Sequence, residues 1–210
     1  MKIYLLATAL LVIGCKRAEP VLVTADSGGE TTNASRNLSR STPESADTGK
    51  LLTCGVTEPP ELNDTGVGDL VVGRPVSEVK ERCQLLSDTF QRGTEGGQER
   101  IIAVLVAGEI LSSTVVDGRI SRIGVTTPRI RTTDSLGVDT PLQKIAAMRG
   151  AQFFPGEDGV YAFVAAHCAL SFRFSLPLRP PKGGQWTPAA IATAHGDAAV
   201  DRVLVGECRK

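Results

Sequence analysis

The chain has 210 residues, with 23 lysines plus arginines balanced by 23 aspartates plus glutamates, so its formal net charge is zero. That length leaves room for a removable leader, a tether and one domain of ordinary size. The balance argues against a nucleic-acid binder, which gathers a basic excess on one face, and supplies no long-range attraction to an anionic bilayer.

The chain opens with Lys2, a short positive region, followed by an apolar run from Ile3 to Ile13. The run is far shorter than the roughly 20 residues a membrane-crossing helix needs and suits the core of an export signal. Ala7-Thr8-Ala9 imitates an ordinary cleavage site but falls too early, leaving an apolar stub. Val12-Ile13-Gly14-Cys15 resembles the lipobox of bacterial lipoproteins: aliphatic, small or aliphatic, small, then an obligatory cysteine. The resemblance implies cleavage after Gly14, diacylglycerol on the Cys15 sulfur and acylation of the new amine. Each buried methylene contributes about 0.8 kcal/mol, and two or more chains anchor stably. In such lipoproteins of double-membrane cells, aspartate after the cysteine retains the protein in the inner membrane. Lys16 stands there in this chain, which favours the periplasmic face of the outer membrane.

Residues 15–50 read as the lipidated cysteine and a tether. Between Thr24 and Gly49 the one large apolar side chain is Leu38, so the stretch cannot bury enough surface to offset its ordering entropy and is expected to be disordered. A flexible segment of this length spans roughly 30 Å root-mean-square.

Residues 51–210 form the expected domain, with order beginning near Leu51. Val67 to Val72 reads as a strand, and Gly73-Arg74-Pro75 leads into a helix whose Val76, Val79 and Cys83 share one face. Ile101 to Ala107 is a strand. Leu111 to Val116 and Arg119 to Val125 flank Asp117-Gly118, a strong two-residue hairpin signal. Thr140 and Gln143 fit a capping box, with Pro141 as first helical residue and Gly150 as terminator. Val160 to Val164 is a further strand. Ala169 to Leu176 is another, in which Leu170, Phe172, Phe174 and Leu176 alternate with polar residues, so one face is buried and one wet. Pro177 to Gly184 is a loop, and Val203 to Val205 a short closing strand.

Val72 to Val79 echoes Val138 to Ile145, each a short entry with a proline-started helix, which suggests half-repeats near 66–130 and 131–210. The expected fold is therefore α+β: an antiparallel sheet with two short helices packed on one face, arranged as a tandem of helix-plus-sheet units. Gly66-Val67-Gly68-Asp69-Leu70-Val71-Val72-Gly73, together with Leu136 to Leu142, resembles the small outer-membrane lipoprotein domain of the SmpA/BamE type and the tandem version in secreted β-lactamase-inhibitor proteins. The resemblance implies a compact module that binds proteins and catalyses nothing. Arg74 stands where those families carry methionine, and no binding-surface residue carries over.

Of five cysteines, setting Cys15 apart leaves an even four, suited to two disulfides in an oxidising compartment. No C-x-x-C occurs, so a zinc knuckle is not expected. Three connectivities are open to Cys54, Cys83, Cys168 and Cys208. The favoured one joins Cys83 to Cys168, tying the first helix to a central strand, and Cys54 to Cys208, closing the domain's ends. Each would contribute roughly 4 kcal/mol by chain entropy.

The remaining chemistry is sparse. His167 and Cys168 are neighbours on a strand and point to opposite faces, so they do not form a nucleophile–base pair, and Cys168 reads as a disulfide partner. His195 stands among alanines with no motif around it. Hydrolase signatures are missing, and the glycines at 66, 68 and 73 read as turns, not as a phosphate loop. Glu157 and Asp158 sit in turn chemistry, and Trp186 follows two glycines as either a core plug or a ligand-facing ring. The sequence therefore points to a non-catalytic, membrane-tethered module with an envelope protein partner and no cofactor, metal or nucleic acid. An enzyme or small-ligand binder with a site assembled from scattered polar residues is the alternative.

Overall fold

The computed structural model describes residues 54–56, 60–92, 97–181 and 184–208. The expected leader (1–14), the lipidated Cys15, the tether to residue 50 and the start of order at Leu51 lie outside the described residues. Among the described residues, no helix is long and apolar enough to cross a membrane.

Three two-residue strands open the fold: β1 (Leu62–Asn63), β2 (Gly66–Val67) and β3 (Leu70–Val71). They form a small antiparallel sheet in the order β1-β2-β3. The expected strand from Val67 to Val72 is thus split by a turn. Gly68, at φ 56°, makes that turn, and Gly66 lets the following strand fold back closely. Gly66 sits at φ 150°, and a Cβ there would overlap the Leu70 carbonyl oxygen. Helix α1 (Val76–Arg82) follows, burying Val76 and Val79.

A long meander comes next: β4 (Gln84–Arg92), β5 (Gln98–Val106), β6 (Glu109–Val116) and β7 (Arg119–Val125). Asp117 and Gly118, at φ 49° and 73°, make the tight turn between β6 and β7 that the sequence signals. Helix α2 (Leu142–Ala146) leads to the second meander: β8 (Gln152–Pro155), β9 (Val160–Val164) and β10 (His167–Phe174). Helix α3 (Pro188–His195) precedes the last strand, β11 (Arg202–Val205). The other eight strands form one antiparallel sheet in the order β4-β5-β6-β7-β11-β10-β9-β8.

The α+β expectation with two helices is corrected: 46% of the described residues are strand and 14% helix, so the architecture is mostly β with three short helices. Strands β4 and β8 account for much of the difference. Nearly every residue of β4 is exposed, so it lacks the apolar–polar alternation that announces a strand, and β8 is four residues ending in proline. The capping box is also absent. The Thr140 hydroxyl accepts from the Gly137 amide, 2.9 Å away, and Pro141 takes the cap position with no side-chain bond.

The two helix entries are held by matching sets of hydrogen bonds, the first to the β6–β7 turn and the start of β7, the second to the segment before β11. In the first, Gly73 N donates to Ile120 O, Ile120 N to Arg74 O and Val76 N to Gly118 O. In the second, Asp139 N donates to Val200 O, Val200 N to Thr140 O and Leu142 N to Ala198 O. Pro75 lies across from Arg119 as Pro141 lies across from Ala199.

Cross-strand register sorts the sheet's two faces. Ile102, Ser113, Ile123, Val205 and Leu170 stand opposite one another in one row, and all are buried. Val125, Val203, Phe172, Ala162 and Phe153 form a second buried row. Val76 and Val79 of α1, Leu142 and Ile145 of α2 and Ile191 of α3 join the same core. Burying a large aliphatic or aromatic side chain contributes about 1.5–3 kcal/mol, so these rows dominate stability. The intervening row, Ala103, Ser112, Gly124, Leu204 and Ser171, lies on the opposite face.

The disulfides differ from the favoured pairing. Cys54 joins Cys83 and Cys168 joins Cys208. Register explains both. The Cys54 amide donates to Arg82 O, 3.0 Å away, which sets it beside Cys83. Leu170 pairs with Val205 across β10 and β11, which carries Cys208 alongside Cys168. Each bridge therefore closes a local loop, with sequence separations of 29 and 40.

Candidate functional site

The face of the large sheet opposite the core carries a cavity of about 670 Å³ over β7 to β11. Alternation places its side chains. Leu204 and Ser171 are cross-strand partners on the floor, and Phe154 with Tyr161 and Phe163 form one wall. The Phe154 and Phe163 rings meet edge to face, 5.8 Å between centroids. Such a pair adds about 0.5–1.5 kcal/mol beyond its buried area and holds both rings in place. Cys168 and Ala169 close one end, where Arg122, Ser121 and Glu207 stand, and Glu157 and Asp158 rim the other.

A charged network fixes that second rim. Arg173 of β10 donates from Nη1 to both carboxylate oxygens of Asp201, each 2.8 Å away, and from Nη2 to the Asp158 carbonyl. Its Nε forms an ion pair with Asp158 Oδ2 at 3.0 Å, without the alignment of a hydrogen bond. The Tyr161 hydroxyl donates to Asp158 Oδ1 at 2.6 Å. Burial, together with that bond, pushes the Tyr161 phenol up to about 12. The Tyr161 bond, followed by the charges of Arg173 and Arg202, holds Asp158 below the usual carboxylate value against partial burial. At neutral pH, Tyr161 is a fixed donor and Asp158 a fixed anion.

The other singled-out residues are dispersed. His167 lies between two carboxylates, with Nε2 3.2 Å from each Asp134 oxygen and Nδ1 3.9 Å from Asp64 Oδ2. Partial burial works against the Asp134 charge, but hydrogen bonds from Thr132 and His167 outweigh it and hold that carboxyl below its usual value. Asp64 Oδ1 also accepts from the Ala169 amide, so this group clamps the first small sheet to β10. Among the described residues no set of three or more histidine, cysteine or acidic side chains is arranged to hold a metal. His195 ends α3, remote from His167 in sequence, and Trp186 is half-buried against the core. Cys168 alone of the four domain cysteines lines the cavity.

Sequence reading missed Phe154, Arg173 and Asp201 as site residues. The wet positions of β10 signal an open face, but nothing local shows that Arg173 meets Asp158 and Asp201.

No family model and no curated protein matches the chain. Among solved structures, an uncharacterized protein from Escherichia coli, yfeY, is similar with a TM-score of 0.49 and 18% identity, over 70% of this chain and 99% of that one.

Proposed function

We propose that this chain is a lipid-anchored, non-catalytic envelope protein that holds a protein partner on the open face of its eight-stranded sheet. The observation that carries the reading is the half of that face bearing Phe154, Tyr161, Phe163 and Leu204 around the cavity. Rigid aromatic anchors set on strands, beside fixed charges, are the composition of a binding hot spot with a polar rim. The lipobox at Cys15 supplies the anchor, and a polar tether lets the face reach a partner in the envelope. The resemblance to protein-binding outer-membrane modules points the same way.

Affinity capture from detergent-solubilised envelope, run side by side with wild type, Phe154→Glu and Cys15→Ser, tests it. A protein enriched by wild type and lost with Phe154→Glu supports the reading. Enrichment indifferent to Phe154→Glu, or equal to that of Cys15→Ser, contradicts it. A second reading rests on the same cavity, whose volume falls within the roughly 300–1,000 Å³ of small-ligand sites. It predicts that a small molecule, and no protein, co-purifies with wild type and is lost with Phe154→Glu.

A further inference from the structure

The floor of the cavity carries a polar group that the fold leaves unused. Strands β10 and β11 pair without a shift from Leu170 to Arg173, so Ser171 stands opposite Leu204, on the face away from Leu170 and Phe172. Ser171 is only 9% exposed, and among the described residues no protein group bonds its hydroxyl. The Ser113 hydroxyl, on the core face, is sealed off without a partner, whereas that of Ser171 opens into the cavity. The wall beside it includes Phe154, 46% exposed, and Tyr161, whose hydroxyl is already committed to Asp158.

We propose that the partner enters this cavity with a tyrosine side chain, its ring against the aromatic wall and its phenol hydroxyl on Ser171. The inference rests on the protein-partner reading and names the group that is held. Three properties of the site select that group. Whatever reaches the floor covers Ser171, and a buried hydroxyl left unbonded is costly, so the inserted tip must be polar. Whatever passes Phe154 and Phe163 must be apolar along its length to match them. The charges favour neither sign: Arg122 stands beside Glu207 at one end, and Arg173 is bound to Asp158 and Asp201 near the other. A charged tip would lose its hydration without a counterion of its own, so the tip is neutral. Among neutral side chains, tyrosine and tryptophan join an apolar ring to a polar handle. The phenol oxygen lies at the far end of its ring and the indole nitrogen on the flank, so tyrosine meets a floor group tip-first. The cavity volume of about 670 Å³ exceeds one side chain, leaving room for the partner's chain on either side of the ring.

The test titrates N-acetyltyrosinamide and the corresponding phenylalanine, tryptophan and arginine amides into the full isotope-labelled chain carrying Cys15→Ser, followed by amide shifts in NMR. The tyrosine amide is expected to shift Ser171, Leu204 and Phe163 saturably, and to bind about fivefold or more tighter than the phenylalanine amide. In Ser171→Ala that preference is expected to vanish while the phenylalanine amide binds no worse, a split that a misfolded variant would not show. No saturable shift at these residues up to about 50 mM tyrosine amide would overturn the proposal. Another amide binding as tightly as the tyrosine one, or a tyrosine preference that survives Ser171→Ala, would overturn it as well. Any of these results beside a protein capture that still depends on Phe154 sinks this inference and spares the partner reading. A tyrosine amide that binds while no protein is captured overturns the partner reading and leaves the site to a phenolic small molecule.

Discussion

Arg173 sits with its side chain 15% exposed between Asp158 and Asp201, which are 48% and 34% exposed. That asymmetry predicts which removal hurts more. Arg173→Met deletes the buried charge, keeps much of the stem's packing and frees two carboxylates that can turn to water. Its cost is the loss of charge-assisted bonds, about 1.5–3 kcal/mol each at most, largely offset by rehydration, for a net of about 1–2 kcal/mol. The double variant Asp158→Ala with Asp201→Ala leaves the guanidinium buried without a carboxylate. Breaking a buried pair from that side costs about 3–5 kcal/mol. Urea unfolding at neutral pH, with the slope checked for constancy, measures both. If Arg173→Met proves as costly as the double variant, or costlier, the view of the network as a buried cation satisfied by two half-wet anions is wrong.

Three further outcomes are expected. Cys168 and Cys208 are exposed while Cys54 and Cys83 are buried, so limited reductant followed by alkylation and mass spectrometry should label the first pair well before the second. Gly66→Ala forces a Cβ against the Leu70 carbonyl at φ 150° and should destabilise by at least about 2 kcal/mol in thermal or urea melts. Arg100, with Lys80, holds Asp88 at about 2 against an ordinary 3.8. The folded pKa is depressed, so the stabilisation is complete above the ordinary value and is lost as pH falls from about 4 through about 2. Discounted for solvent, it amounts to about 1 kcal/mol, visible as a flatter acid limb in the unfolding profile of Asp88→Asn than in that of wild type.

What the sequence reveals of this fold follows the physics of each segment. Val160 to Val164 has the bounds foreseen for it because turn residues bracket a short β-branched and aromatic run. Leu170, Phe172 and Phe174 of β10 are buried as their alternation foretells, but their polar neighbours are not wet: Ser171 is buried and Arg173 is mostly covered. Strand β4 has no such contrast, since as an edge strand it buries little on either side, and its strand character comes from pairing with β5. Thr140-Pro141-Leu142-Gln143 carries the letters of a capping box, yet tertiary hydrogen bonds to Val200 and Ala198 fix the helix entry instead. The disulfide partners were equally hidden. The pairing of β10 with β11 and the bond from Cys54 to Arg82 decide them, and both are tertiary contacts beyond the reach of any short-range pattern. The cavity draws on five strands, so local patterning could show its wet positions but not their convergence.

The central claim is that an anchored chain presents the open sheet face to a protein. Photo-cross-linking in the living source cell tests it most directly, with a photoreactive side chain placed either at Phe154 on that face or at Ala189 on α3. The account predicts a protein adduct from position 154 that is absent from position 189 and disappears when Cys15→Ser removes the anchor. No adduct from position 154, or the same adduct from both positions, would contradict it.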